Sequence, residues 1–457
     1  MIKKIHFIGI GGIGMSAIAI VLQKMDYHIT GSDVNSTCLQ NLIDLGITVY
    51  HGHSPNNILD AQLVVKSTAI KENNSELLAA RARNIPVISR GQMLAELMHL
   101  YYAIAVTGTH GKTTTTSLLF EIFNYANLQP SCIVGGKLLS TNTNAVLSDG
   151  KHFIIEADES DASFLYLFPI MAIVTNIDHD HMETYNHQSS KLNESFLQFL
   201  LHIPFYGCAV LWYEDPILRN MITDLKCQVI TYGLNESADI YANNIQTNQH
   251  GMSFVVNYSK YNLQFVINTH MLGMHNVLNC LSAIAIALEH KIDVITIINA
   301  ILEFKGVARR TQYYAVNSIK GNLLIDDYGH HPVEIKTTID GIKKAHQEKK
   351  LLLIFQPHRY TRTRDLFNDF IDSIMLADQV ILCRTYEANE ELIIGYDSLS
   401  LMAAIKQSEF NNIVYADSFT QIPNMLKEMN LHNTVVVTMG AGDVTKLAQT
   451  IADANIL

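Results

Sequence analysis

The sequence predicts an α/β protein of three successive segments, each alternating short apolar strands with helices. Three observations predict it. Strongly apolar runs end again and again in polar or glycine-rich turns. A glycine pattern opens the chain, and a second glycine turn, closed by a lysine and four threonines, follows about 100 residues later.

The first segment, 1–100, opens with a strand at Lys4–Ile10, the run Gly9-Ile-Gly11-Gly12-Ile-Gly14, and a helix at Met15–Lys24. A strand at His28–Gly31 then ends in Ser32-Asp33, an acid about 20 positions past the glycines, as a Rossmann-like βαβ unit requires. Further strands are predicted near Thr48–Tyr50, Leu63–Lys66 and Pro86–Ile88. NAD is the default ligand of such a turn. A nucleotide-sugar diphosphate satisfies the same helix N-terminus, and a purely structural glycine turn is the plain alternative.

The second segment, 101–308, carries the most informative run. A strand at Tyr101–Val106 leads through Thr107-Gly108-Thr109-His110-Gly111-Lys112-Thr113-Thr114-Thr115-Thr116 into a helix at Ser117–Tyr125. Strand, glycine turn and helix N-terminus gather backbone N–H groups around a polyanion. Lys112 adds a point charge for β/γ-phosphates, and the Thr113 hydroxyl suits Mg²⁺. The match is to a shortened P-loop, Gly108-x-x-Gly111-Lys112-Thr113, and it implies a P-loop ATPase-like domain that binds ATP or GTP.

Two apolar strands of this segment, Phe153–Ile155 and Met171–Thr175, end in Glu156-Ala-Asp158-Glu159-Ser-Asp161 and Asn176-Ile-Asp178-His-Asp180-His181. Open α/β sheets bind ligands at the carboxyl ends of their strands, so both clusters are expected near the phosphate loop. Glu156 holds the place of a Walker-B-type acid, with Asp158 and Glu159 as competitors. His181 with its carboxylate neighbours reads as a metal cluster, which taken alone also fits a dinuclear metallohydrolase. Ala238–Thr269 reads as short flanking strands. Asn276 and Asn279, ahead of a helix at Cys280–Glu289, fall on one helix face, where amides pair with adenine or cap the helix.

The third segment, 309–457, repeats the alternation with strands at Leu323–Ile325, Leu351–Phe355, Gln379–Leu382 and Thr434–Thr438. Arg309-Arg310 at its start could clamp phosphate bidentately. Asp326-Asp327-Tyr-Gly-His330-His331-Pro332 and His358-Arg359-Tyr-Thr-Arg362-Thr-Arg364 each follow a strand and put His and Arg where a substrate carboxylate can be held.

Bulk properties bound the rest. A chain of 457 residues, 48% hydrophobic and 16% charged, is a globular protein of two to four domains. A net charge of −11 argues against a nucleic-acid binder. Six cysteines without a Cys-x-x-Cys pair suit free thiols in a reducing compartment. With no signal-peptide pattern and no membrane span, a cytoplasmic protein is expected.

Taken together, these motifs resemble the Mur ligases, the ATP-dependent enzymes that build the peptide stem of bacterial peptidoglycan. Thr107–Thr116, Glu156–Asp161, Asn176–Tyr185, His275–Asn279 and Asp326–Pro332 fall in that family's order and spacing, and the likeness covers nearly the whole chain. It implies that the first segment holds a UDP-sugar through Gly11, Gly12, Gly14, Ser16, Asp33, Ser67 and Arg90. It implies that ATP meets Gly108, Thr109, His110, Gly111, Lys112, Thr113 and Thr114 with Asn276, Asn279, Arg310 and Asp327. Thr113, Glu156 and His181 would hold Mg²⁺, and His330, His331, His358 and Arg359 the amino acid, with Lys112, Glu156, His181, His331 and Arg359 as the catalytic set. His6–Ser16, Gly31-Ser-Asp33 and Gln356–Arg364 are most similar to members that join L-alanine to UDP-N-acetylmuramate. The resemblance thus implies an acyl-phosphate route, a third domain that closes over the site, a monomer or homodimer, and a role in cytoplasmic peptidoglycan precursor synthesis. The alternatives are a recycling ligase that adds a tripeptide to the same sugar nucleotide and a P-loop ATPase switch.

Overall fold

The computed structural model describes residues 2–35, 39–180, 182–316, 320–388, 390–454 and 456–457. The chain forms two compact units, one of Met1–Asn243, Val255–Ile267 and Leu278–Lys305, the other of Asn244–Phe254, Asn268–Val277 and Gly306–Leu457. Among the described residues no helix is long and apolar enough to cross a membrane.

The first unit opens with β1 (Lys4–Ile8), β2 (His28–Asp33), β3 (Thr48–His51), β4 (Leu63–Lys66) and β5 (Val87–Ser89), paired in the order β3-β2-β1-β4-β5. All these pairings are parallel. The second sheet contains β6 (Tyr102–Thr107), β7 (Ser131–Leu138), β8 (Thr143–Val146), β9 (His152–Glu156), β10 (Met171–Val174), β11 (Cys208–Trp212), β12 (Gln228–Gly233), β13 (Ile240–Asn248), β14 (Gly251–Tyr258) and β15 (Leu263–Thr269). Its order is β15-β14-β13-β12-β11-β10-β6-β9-β7-β8. The central strands are almost wholly buried, as parallel strands covered on both faces must be. One apolar cluster, including Ile5, Phe7, Ile18, Phe153, Val174 and Phe196, runs through both sheets. The helix Ile13–Lys24 of the first sheet also meets the β7–β8 hairpin of the second, where Asn144 Nδ2 donates to Ile13 O at 2.9 Å.

Three local expectations are corrected. The helix after the phosphate loop spans Lys112–Tyr125, starting five residues before the expected Ser117. The threonine run continues as helix because its hydroxyls bond back one turn, Thr116 Oγ1 to Lys112 O at 2.8 Å and Ser117 Oγ to Thr113 O at 2.6 Å. The later helix spans Met274–Glu289, so Asn276 and Asn279 lie inside it rather than ahead of it. The strands of Ala238–Thr269 are long, at 9, 8 and 7 residues.

The first sheet carries a buried charge that the sequence did not announce. Glu76 is fully buried and accepts hydrogen bonds from Ser32 Oγ at 2.5 Å and Asn57 Nδ2 at 2.7 Å, with His6 Nε2 at 3.7 Å and His53 Nδ1 at 3.1 Å. Burial alone would raise its pKa. The contacts with His6, Ser32 and Asn57 win and hold it at about 2.

The second unit is built on β16 (Gln312–Tyr314), β17 (Leu323–Asp327), β18 (Lys350–Phe355), β19 (Gln379–Cys383), β20 (Ile413–Ala416) and β21 (Thr434–Met439), in the order β16-β17-β21-β18-β19-β20. The edge strand β16 is antiparallel to β17 and the other pairings are parallel. Leu324, Leu352, Ile354, Ile381, Val436, Val444 and Leu447 anchor its core.

Because Glu76 is a stronger acid in the fold than in the unfolded chain, where its value is 4.5, its contribution is complete above that value and disappears as pH falls toward about 2. Acid titration of thermal stability should therefore show a loss across this window. Glu76→Gln should flatten that loss and cost about 3 kcal/mol at neutral pH, measured by denaturant unfolding.

Candidate functional site

Strand register builds the first part of the site. Val106 in β6 pairs with Glu156 in β9, and Thr107 in β6 pairs with Val174 in β10. The phosphate loop, the acidic turn and the turn after β10 therefore leave one sheet edge side by side. Gly108 has φ +127° and Gly111 φ +85°, both left-handed values that favour glycine. Neither has room for a side chain. A Cβ on Gly108 would lie 2.2 Å from Thr175 Oγ1, and one on Gly111 would lie 2.6 Å from Asn279 Oδ1.

The turn after β10 fastens the loop. Thr109 N–H donates to Asn176 O at 3.0 Å, and His110 N–H donates to Asn176 Oδ1 at 2.9 Å. Thr175 Oγ1 and Asn176 Nδ2 in turn donate to His110 O at 2.6 and 3.0 Å. The sequence reading expects the cluster that Asn176 opens near the phosphate loop, and Asn176 lies there; it gives no role to Thr175, although a polar residue at the end of a buried strand was the signal.

Lys112 and Thr113 divide the acids between them. Thr113 Oγ1 donates to Glu156 Oε1 at 3.0 Å, and Glu156 Oε2 accepts the Gly135 N–H of β7 at 2.6 Å. A hydroxyl and a carboxylate thus converge beside the loop, a hard-oxygen pair that fits Mg²⁺. Lys112 Nζ donates instead to Glu159 Oε1 at 2.9 Å. Burial pushes the Glu159 carboxyl up, to about 7, against the pull of Lys112. Burial works against the Lys112 ammonium too, but Glu159, Asp158 and Glu156 outweigh it and hold Lys112 above its ordinary value. His181 lies outside the described residues. Asn279 accepts the Thr115 hydroxyl at 3.1 Å beneath the loop.

In the first sheet, Gly11 N–H donates to Asp33 Oδ2 at 2.8 Å, so the acid braces the glycine turn. Gly12 caps the helix Ile13–Lys24, and Ser16 Oγ donates to Ile13 O at 3.0 Å. Ser67 N–H donates to Ile8 O at 3.1 Å, which ties the turn after β4 to the end of β1. The Arg90 guanidinium lies against Gly14, where a Cβ would sit 2.6 Å from Nη1. Its Nη2 donates to Asp158 at 3.1 Å, Asp161 at 3.0 Å and Ser163 at 2.9 Å. Arg90 therefore links the first glycine turn to the acidic turn after β9.

The second unit assembles its own polar cluster. Asp327 accepts Thr311 N–H at 2.7 Å and Gly329 N–H at 2.8 Å, and burial raises its pKa. Arg310 lies 5.0 Å from the Tyr328 ring centre and 3.6 Å from Glu334. Asn276 Nδ2 donates to Leu272 O at 2.8 Å. His331 caps the helix Pro332–Ala345, its Nδ1 accepting Val333 N–H at 3.4 Å, and His330 N–H donates to Glu334 Oε2 at 3.0 Å. The His358 ring stacks on Tyr386 at 5.3 Å and lies 6.0 Å from the His330 ring. Burial, then Arg362 and Arg359, press its pKa down to about 4. Arg359 sits at φ +73°, its N–H held by Tyr386 O at 2.9 Å. Tyr386 is a further residue that the sequence did not single out.

Family models match in three stretches: the Mur ligase family catalytic domain over residues 4–102, the Mur ligase middle domain over 106–287, and the Mur ligase glutamate ligase domain over 309–442. The UDP-N-acetylmuramate–L-alanine ligase of Neisseria gonorrhoeae is 44% identical over 463 residues, covering 99% of this chain and 98% of that one. The chain belongs to the Mur ligase family. This Mur ligase is also 46% identical to the UDP-N-acetylmuramate–L-alanine ligase of Chromobacterium violaceum, with 97% of each chain covered. Among solved structures, the UDP-N-acetylmuramate-alanine ligase of Thermotoga maritima superposes with a TM-score of 0.84 at 27% identity, covering 99% of this chain and 98% of that one.

In this Mur ligase the half-buried His358 should stay neutral far below the ordinary histidine range. Its ring protons are expected to titrate near pH 4 rather than 6.5 by NMR, and Arg362→Ala should move the midpoint upward.

Proposed function

We propose that the chain is an ATP-dependent ligase that joins L-alanine to the carboxylate of UDP-N-acetylmuramate in peptidoglycan precursor synthesis. The observation that carries this reading is the convergence of Thr113, Glu156 and Lys112 at one sheet edge, in a chain similar over nearly its full length to ligases of that name. Residues 1–100 would take the UDP-sugar, 101–308 ATP, and 309–457 the amino acid.

A carboxylate is a poor acylating agent, so it must be activated. A muramoyl carboxylate oxygen attacks the γ-phosphorus of ATP, ADP leaves, and an acyl phosphate forms. The amine nitrogen of L-alanine then attacks the acyl carbon, phosphate leaves with the C–O bond pair, and the nitrogen loses a proton. Lys112 and the N–H groups of Gly111, Lys112 and Thr113 at the helix N-terminus neutralise charge on the transferring phosphoryl group. Mg²⁺ held by Thr113 and Glu156, with His181 as the third ligand implied by the resemblance, would supply further charge neutralisation when bound. A histidine of the third segment would take the amine proton, and His330, His331, His358 and Arg359 would orient the amino acid. Gly11, Gly12, Gly14, Ser16, Asp33, Ser67 and Arg90 are assigned to the sugar nucleotide, and Asn276, Asn279, Arg310 and Asp327 to ATP.

Phosphate release from Mg-ATP should require both UDP-N-acetylmuramate and L-alanine and yield the ligated product by mass spectrometry. Release without either substrate would favour an ATPase switch, and dependence on a tripeptide in place of alanine a recycling ligase. Lys112→Ala should lower the ligation rate at least a thousandfold, about 4 kcal/mol, while sugar-nucleotide binding by calorimetry persists. Glu156→Ala should raise the Mg²⁺ concentration needed for half-maximal rate by about tenfold or more.

A further inference from the structure

Lys112 carries three N–H donors, and three acceptors engage them inside the protein. They are Gly108 O at 2.7 Å, Thr109 O at 3.1 Å and Glu159 Oε1 at 2.9 Å. The two carbonyls belong to the phosphate loop, whose backbone is fixed by Thr175 and Asn176. Glu159 alone of the three is a side chain, and as the carboxylate it carries a charge. Its oxygens stand toward the ammonium as phosphate oxygens would, and the residue is 2% exposed.

The turn that presents Glu159 is itself braced. Tyr185 Oη donates to Glu159 O, and Ala162 N–H donates to the same oxygen at 3.0 Å. Arg90 grips Asp158 and Asp161 on either side. This carboxylate is therefore held on Lys112 by three independent supports, although Glu156 is the acid next to Thr113.

We propose that Glu159 is a positioning residue that occupies Lys112 as an internal stand-in for phosphate, so that nucleotide must displace it and the affinity of the phosphate loop is set below its maximum. The inference rests on the nucleotide reading of this loop given above. It reverses the usual sign for a buried ion pair, whose loss would disorder the loop and weaken binding. Here, removing the anion frees a cation for the ligand.

The test is the affinity of Mg-ADP, measured by calorimetry on the full chain at about pH 8, where Glu159 is ionised, for the native protein, Glu159→Gln and Glu159→Asp. Glu159→Gln is expected to bind about tenfold more tightly, the scale of one charged hydrogen bond, and to lower the KM for ATP in the ligation assay by a similar factor. Glu159→Asp keeps the charge and should stay within about twofold of native on the same scale. Unchanged or weaker binding by Glu159→Gln would overturn the proposal. If Glu159→Gln does not fold, tightening in Glu159→Asp equal to about tenfold would also overturn it, because the charge is retained. No nucleotide binding by the native chain would overturn the functional reading and this inference together, a result distinct from native binding without tightening.

Discussion

The level at which β9, β6 and β10 end is the constraint on which the first unit depends. Parallel pairing leaves no freedom once Val106 is opposite Glu156 and Thr107 opposite Val174. The hydroxyl of Thr113, the acid of Glu156 and the carbonyl of Asn176 are then delivered within hydrogen-bond reach of one loop by three strands far apart in sequence. A slip of one residue in β9 would turn Glu156 to the opposite face of the sheet. The buried aliphatic side chains of those strands therefore fix the position of the charged groups beyond them.

A second layer of polar contacts joins the two sheets of this unit. Asp33 is engaged by the amide of Gly11, and Arg90 lies beside Gly14 with its guanidinium on Asp158 and Asp161. The turn proposed for a sugar nucleotide and the turn proposed for metal and phosphate are connected through one arginine. The β7–β8 hairpin adds another link, since Gly135 holds Glu156 while Asn144 holds the start of the helix Ile13–Lys24.

Much of this was legible in the sequence, and the gaps have physical causes. Strands such as Leu63–Lys66 could be read to the residue because their apolar runs are bounded by turns. The phosphate loop declared itself through Gly111-Lys112-Thr113, whose geometry tolerates few other residues. The helix start at Lys112 was missed because threonine disfavours helices unless its hydroxyl finds a backbone carbonyl, which local propensity does not reveal. The roles of Glu156 and Glu159 could not be separated by sequence, since both follow the same strand. Only the third dimension assigns Thr113 to one and Lys112 to the other. Tyr386 and Glu76 were invisible for a related reason, as each acts through partners tens of residues away.

The apolar cluster that runs through both sheets of the first unit bears on how such a chain can be cut and rearranged. A boundary near residue 100 looks like a joint between modules when read along the chain. In three dimensions, Ile133 and Ala145 of the β7–β8 hairpin belong to the same cluster as Ile5, Ile18 and Ile20. A fragment ending there would carry a raw hydrophobic face into solvent and associate with itself. The segment up to residue 100 is therefore no interchangeable cassette, and recombination among relatives that preserves a working protein must carry these two sheets together.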